Sequence, residues 1–294
     1  MWKYAVLIAY SGTHYCGWQK QKGSGASGDP SLQESIEKAL GVITGESVSV
    51  VGSGRTDSGV HAAGQVAHFI LRQKAWDAHR LMKGLNSQLS QDIRILALSP
   101  VSLEFHAQKS AEKKQYSYYY QQGSCAPPHL LPYTRWIRKD LDLDAVTQAL
   151  GFLRGEHDFK AFQASGSKPG STVRTVLEAD VTVLPILFPA LGFHEGGSGL
   201  SSSFRLVRIR LVGTGFLKQM VRSIAGTLLQ VGEGYRPPSC IREVLASKDR
   251  SQVGPTAPAR GLWLEKVWYP SEFGLRLEPW REPEEERASR SIFS

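Results

Sequence analysis

The chain has 294 residues, 41% of them hydrophobic and 21% charged, enough to bury a substantial core and unlike the composition of a disordered or fibrous protein. Lys and Arg outnumber Asp and Glu by 35 to 27, for a net charge of +8. The last nineteen residues carry five acids and four bases, so the preceding 275 hold a surplus of nine positive charges, which favours a polyanionic partner, nucleic acid first.

The chain opens on Tyr4, Val6, Ile8 and Tyr10, which alternate along one face of a first strand ending at Ser11-Gly12-Thr13. This start reads as a strand and not as a signal peptide, and no apolar run approaches the ~20 residues that span a bilayer. Cys16, Cys125 and Cys240 are scattered and odd in number, without metal-ligand spacing, so neither a disulfide framework nor a zinc site is expected. The expectation is a cytoplasmic protein in a reducing compartment, with no membrane association. Tyr15 to Lys22 mixes aromatics with bases and amides, and reads equally as a solvated strand end or as an edge facing nucleic acid. After a loop from Gly23 to Pro30, Ser31-Leu32-Gln33-Glu34 has capping-box spacing, and Leu32, Ile36, Ala39, Leu40 and Ile43 form a helical apolar stripe. Strands are predicted over Val48–Val51, Gln65–Leu71 and Ile93–Leu98, and a helix over Asp77–Leu89. The first hundred residues therefore run as an α+β pattern with no parallel repeat unit.

A second half begins near Phe105. A tyrosine-rich strand spans Tyr116–Tyr120, preceded by Lys109, Lys113 and Lys114, and Pro127, Pro128 and Pro132 mark an irregular connection. Leu143, Val146, Ala149, Leu150 and Leu153 give a helix. Leu177, Ala179, Val181 and Val183 alternate with polar residues as a half-buried antiparallel strand, whose partner is Phe204–Val212. Pro185 to Ser203 reads as a long hairpin loop, and as a surface insertion. Phe216, Met220, Ile224 and Leu228 predict a helix, Pro237-Pro238 a shorter one through Leu245, and Leu262–Trp268 a last strand. From about residue 280 periodicity is lost and a disordered tail is expected.

Between the predicted strands lies Gly54-Arg55-Thr56-Asp57-Ser58-Gly59-Val60-His61-Ala62, with Gly64 close behind. Such a loop can be an ordinary turn capped by Asp57. Its density of charge and glycine argues instead for a tight loop against a ligand, with Arg55 near enough to Asp57 to pair with it. With Tyr10-Ser11-Gly12-Thr13, Gly17-Trp18-Gln19, Phe105-His106-Ala107, Asp158-Phe159-Lys160-Ala161-Phe162, Met220-Val221-Arg222 and Gly261-Leu262-Trp263-Leu264 in order around it, the loop resembles that of the tRNA pseudouridine synthase A family. The resemblance covers roughly residues 1 to 270.

It implies two similar α/β domains, 1–104 with the Asp loop and 105–272 with the tyrosine strand and arginine helix, followed by a tail, 273–294. Their antiparallel sheets join into one continuous sheet with helices packed on it and the catalytic cleft between the domains. The resemblance also implies a homodimer that converts uridine to pseudouridine at positions 38, 39 and 40 of the tRNA anticodon arm, with no cofactor or metal. Asp57 is then the essential carboxylate, able to attack the sugar carbon, add to C6 of the base or take a proton from the sugar. Arg222 matches the arginine that pairs with it, offsetting the cost of an ionised carboxylate beside RNA. Arg55 matches the arginine that fills the space left by a flipped-out base, and Tyr116 the tyrosine that stacks on the target uracil. By pattern alone Tyr116, Tyr118 and Tyr120 are equivalent. The chain departs from the family at Gln108, Lys114, Gln115, Lys218 and Gln219, which bears on RNA contacts and not on the reaction. His61 and His68 are expected to pack the loop and strand. Two rival readings are a tRNA-binding protein without catalysis and an N-glycoside hydrolase, the latter disfavoured by the lack of a second carboxylate in the loop.

Overall fold

The computed structural model describes residues 1–20, 28–124, 126–166, 170–184 and 204–278. Part of the glycine-rich stretch before Pro30, Cys125, the 185–203 loop and the tail from 279 lie outside the described residues. The amino-terminal half contains β1 (Trp2–Tyr10), α1 (Leu32–Thr44), β2 (Val51–Gly52), β3 (His61–Leu71), α2 (Ala78–Gln88) and β4 (Ile93–Val101). The second half contains β5 (Lys113–Gly123), β6 (Arg135–Ile137), α3 (Leu143–Gly151), β7 (Gly155–Asp158), β8 (Val173–Leu184) and β9 (Phe204–Gly213). It ends with α4 (Met220–Gly232), α5 (Cys240–Ser247) and β10 (Leu262–Trp268).

The first three helices start where short polar side chains can accept an unpaired first-turn N–H. Ser31 Oγ accepts from Glu34 N, Asp77 from Arg80 N and Asp142 from Ala145 N. Gly45, at φ 73°, closes α1 in the left-handed conformation. Buried Leu32, Ile36, Ala39 and Leu40 of α1, with Leu81, Met82 and Leu85 of α2, cover the β1–β3–β4 half of the sheet.

Among the described residues the sheet has ten strands. Its main order is β4-β1-β3-β10-β5-β9-β8-β7, with β2 beside β3 and β6 beside β5. Pairing along this path is antiparallel except at the centre, where β10 lies parallel to β3 through Trp263↔His61 and Leu264↔Ala62. β6 also runs parallel to β5. The two halves thus form one continuous sheet, but a mixed one, because the last strand of the chain enters between β3 and β5. Gly64 makes that approach possible: a Cβ there would stand 2.2 Å from the Glu265 carbonyl oxygen.

Three local expectations are corrected. β3 begins at His61 and not at Gln65, because β10 pairs with residues inside the motif. β2 is only two residues long, since Val48 and Val50 are buried without strand partners and Val50 N donates to Glu37 Oε1 instead, at 2.9 Å. In β8 a register shift between Val176 and Glu178 breaks the alternation, so Val176 and Ala179 point into the core while Leu177 and Val183 are exposed. Beyond β10, Phe273, Leu275 and Leu277 pack against the core.

Candidate active site

The motif loop is held by the loop that leaves β1. Gly17 and Asp57 form an isolated β-bridge, and Trp18 N donates to the Thr56 carbonyl at 3.0 Å. Gly17 has φ 110°, and a Cβ there would come within 2.7 Å of the same carbonyl oxygen, so only glycine fits. Tyr10 Oη and Thr56 Oγ1 lie 2.8 Å apart, Ser58 Oγ donates to the Tyr15 carbonyl, and Gly12 N donates to His61 Nδ1. From below, buried Gln65 donates to the Gly54 carbonyl at 2.9 Å and accepts from Ser53 Oγ at 2.6 Å. Tyr15 to Lys20 is therefore partly core and partly cleft wall: Tyr15 and Trp18 are buried, while exposed Gln19 and Lys20 face the opening.

Across the cleft, Arg222 stands in the first turn of α4. Its Nη1 lies 3.1 Å from Asp57 Oδ2, while its Nε donates to the Ala257 carbonyl at 2.8 Å. Ala257 is fixed in turn, because Ala257 N donates to the Arg222 carbonyl and Gly254 N to Thr227 Oγ1. Gly226 lets this segment lie on α4, since a Cβ there would sit 1.7 Å from the Pro255 carbonyl oxygen. The guanidinium fork thus bridges a carbonyl and a carboxylate with different nitrogens. The side chains of Asp57 and Arg222 remain 26% and 15% exposed, so the pair opens onto the cleft.

The cleft has a volume of about 1230 Å³. Lys20, Arg55, Lys114, Arg174, Lys218 and Arg222 line it, against Asp57 as the acid among its described residues. Such a surplus of positive charge suits a phosphate backbone. Tyr116 lines it too, with its ring held edge-on by Phe216 at a centroid distance of 5.1 Å. Burial raises the Tyr116 phenol above its ordinary pKa, with smaller contributions from Tyr10 and Asp57, so it stays protonated at neutral pH. The ambiguity among the alternating tyrosines resolves by depth. Tyr118 donates to the Pro258 carbonyl and Tyr120 to the Ala225 carbonyl, and both are fully buried.

Of the predicted site residues, Asp57, Arg222 and Tyr116 converge on one cleft, and Arg55 is exposed at its rim without an ion pair among the described residues. Phe216 and Arg174 were not singled out for this site by sequence. Gln65 carried a signal, being a polar residue in an otherwise apolar strand. The departures at Gln108, Lys114, Lys218 and Gln219 line the cleft, whereas Gln115 faces away and donates to Glu265.

The two motif-region histidines sit apart from the Asp57 carboxylate. His61 stacks on Trp263 at 4.6 Å with its Nε2 3.1 Å from the Pro132 carbonyl, and burial holds its pKa down to about 4 despite that acceptor. His68 accepts from Ala107 N and is pushed down to about 4 by burial, then by the nearby charges of His106 and Lys3. Both folded-state values lie below the ordinary 6.5, so between about pH 6.5 and 4 the unfolded chain binds more protons. Stability is therefore expected to fall as the pH drops through this window, by up to about 1.4 kcal/mol per pH unit for each histidine. Urea unfolding at pH 7, 6 and 5 checks this. His68→Gln should flatten the dependence, and an unchanged slope would assign it to other groups.

The sequence profile of the family described as tRNA pseudouridine synthase matches residues 6–108 and 149–270. Proteins named tRNA pseudouridine synthase A are similar along nearly the whole chain. That of Maridesulfovibrio salexigens is 39% identical over 273 residues, covering 92% of this chain and 91% of the relative. That of Ruminiclostridium cellulolyticum is 38% identical over 269 residues, covering 92% and 100%. That of Francisella tularensis subsp. novicida is 35% identical over 282 residues, covering 95% and 98%.

Proposed function

Because the chain belongs to the tRNA pseudouridine synthase family, and so isomerises uridine to pseudouridine in tRNA, we propose that its targets are positions 38, 39 and 40 of the anticodon arm. The observation that carries the assignment of the site is the Asp57–Arg222 pair, 3.1 Å apart in a cleft whose other charged lining residues are cations. Asp57 is the acting carboxylate. The reaction breaks the bond from C1′ to N1, turns the base, and joins C5 to the same carbon, so nothing is consumed and no cofactor is required. Arg222 holds Asp57 ionised and aimed. Tyr116, backed by Phe216, offers a ring face for the flipped uracil, recovering about 1–3 kcal/mol of the unstacking cost. Arg55, exposed at the rim, occupies the space that the base leaves, and Lys20 and Lys218 meet phosphates. Residues 1–104 and 105–272 act as the two walls of this cleft. The working form in this reading is a cytoplasmic homodimer.

The test is to incubate unmodified tRNA transcripts with the enzyme and map pseudouridine by carbodiimide-dependent reverse-transcription stops. Stops at 38, 39 and 40 are expected, each abolished when that uridine is replaced by cytidine. Stops elsewhere would overturn the position assignment, and free uracil released into solution would point to hydrolysis.

A further inference from the structure

Lys114 is a cation without an anion. Its ammonium lies in the cleft and donates to the Ser53 carbonyl at 2.6 Å, yet it makes no ion pair among the described residues. Arg222, by contrast, has Asp57. A half-buried ammonium held by a single carbonyl is incompletely compensated and calls for a negative partner from outside the protein. Gly54 indicates where that partner sits. A Cβ on Gly54 would stand 3.5 Å from Lys114 Nζ and 3.7 Å from Tyr116 Oη, so the two polar ends converge over a bare backbone carbon. Lys20, Arg55 and Lys218 are exposed at the rim, where phosphates pass, whereas Lys114 is half-buried in the cleft, its Nζ near the hydroxyl end of the ring proposed to carry the base.

We propose that the Lys114 ammonium donates a hydrogen bond to a carbonyl oxygen of the target uracil and stabilises the negative charge which the base takes up during the reaction. The inference rests on Asp57 and Tyr116 acting as described above. If Asp57 attacks C1′ or takes a proton from the sugar, the C1′–N1 bond breaks and its electron pair stays on N1, spread over O2 and O4. If Asp57 adds to C6, a carboxylate lone pair forms the new bond and displaces the C5–C6 π pair toward C5 and O4. Every route therefore places charge on a carbonyl oxygen, and a cation fixed there lowers the barrier whichever is followed. The proton stays on Lys114 throughout; C5 supplies the electron pair of its new bond to C1′, any bond from Asp57 breaks with its pair returning to the carboxylate, and C5 then loses its proton while N1 takes one up. Burial lowers the Lys114 pKa from 10.5, which makes loss of this proton visible at the alkaline end of a rate profile.

The test compares wild type, Lys114→Met and Lys114→Arg by single-turnover rate at saturating enzyme on a tRNA transcript, by tRNA Kd and by melting temperature. Lys114→Met is expected to lower the rate on the order of 100-fold while Kd stays within about threefold, and Lys114→Arg to recover to within about tenfold of wild type. The alkaline fall in rate should move to higher pH with arginine. A weaker Kd with an unchanged saturated rate would make Lys114 a phosphate contact and overturn the proposal. So would a wild-type rate in Lys114→Met, or equal rate losses in both variants with lowered melting temperatures, which would mark a brace for the Ser53 carbonyl. Asp57→Asn run alongside separates the failures: if it keeps the wild-type rate, the reading of the cleft has failed, whereas an inactive Asp57→Asn beside an active Lys114→Met overturns only the role of Lys114.

Discussion

Asp57→Asn is expected to fold, to bind tRNA at least as tightly as wild type, and to lose at least about 10⁴-fold in pseudouridine formation. The asparagine is isosteric, and its amide oxygen can still accept from Arg222 Nη1, so the bridge to Gly17 and the contact with α4 both survive. What disappears is the anionic oxygen that every plausible route requires. Binding should not suffer, because the substitution removes the acid from a cleft lined by six cations. Filter binding and single-turnover assays on one transcript give both numbers. Substantial pseudouridine from the variant would remove Asp57 from the chemistry.

Arg222→Met carries the next largest effect, a loss of about 10³-fold in rate. The guanidinium does two things that no single ammonium can do, since it spans the Ala257 carbonyl and the Asp57 carboxylate with separate nitrogens. Lysine presents one point donor, so Arg222→Lys should recover only a small part of the activity. The loss should be catalytic and not structural. The pair is open to solvent on the cleft side, which keeps its contribution to folding to about 1 kcal/mol. Melting curves and saturated rates measured on the same preparations separate the two. A large fall in melting temperature, or full activity with lysine, would overturn this account.

Much of the local structure was legible in sequence because its causes are local. The Ser31 cap with the stripe that follows it, the helix beginning at Asp77, the alternation of β1 and the closing strand at Leu262–Trp268 are set by neighbours a few residues away. The central parallel pairing was not legible, since His61 and Trp263 are joined across two hundred residues and nothing in either strand's periodicity names its partner. The β8 bulge escaped for a related reason: an uninterrupted apolar alternation does not reveal a register shift imposed by β9. In the site, Asp57 and Arg55 stood out through charge among glycines, while Arg222 was tied to them by resemblance only. Tyr116 was indistinguishable from Tyr118 and Tyr120 until the carbonyls above the latter two came into view. Phe216 was read as the start of a helix that in fact begins at Met220, Arg174 carried no signal, and only the assembled cleft gives them a place.

The strand that joins the two halves comes after all the other described strands in sequence. Until residues 262–268 have emerged, the edges of β3 and β5 are covered only in part, by β2 and β6, and Asp57 and Arg222 belong to half-sheets with no ladder between them. A chain cut short before Leu262 can complete its early hairpins and helices, yet it cannot assemble the cleft. Competence to modify RNA is thereby tied to a segment some two hundred residues beyond Asp57, and a product ending before it holds neither the joined sheet nor the finished site.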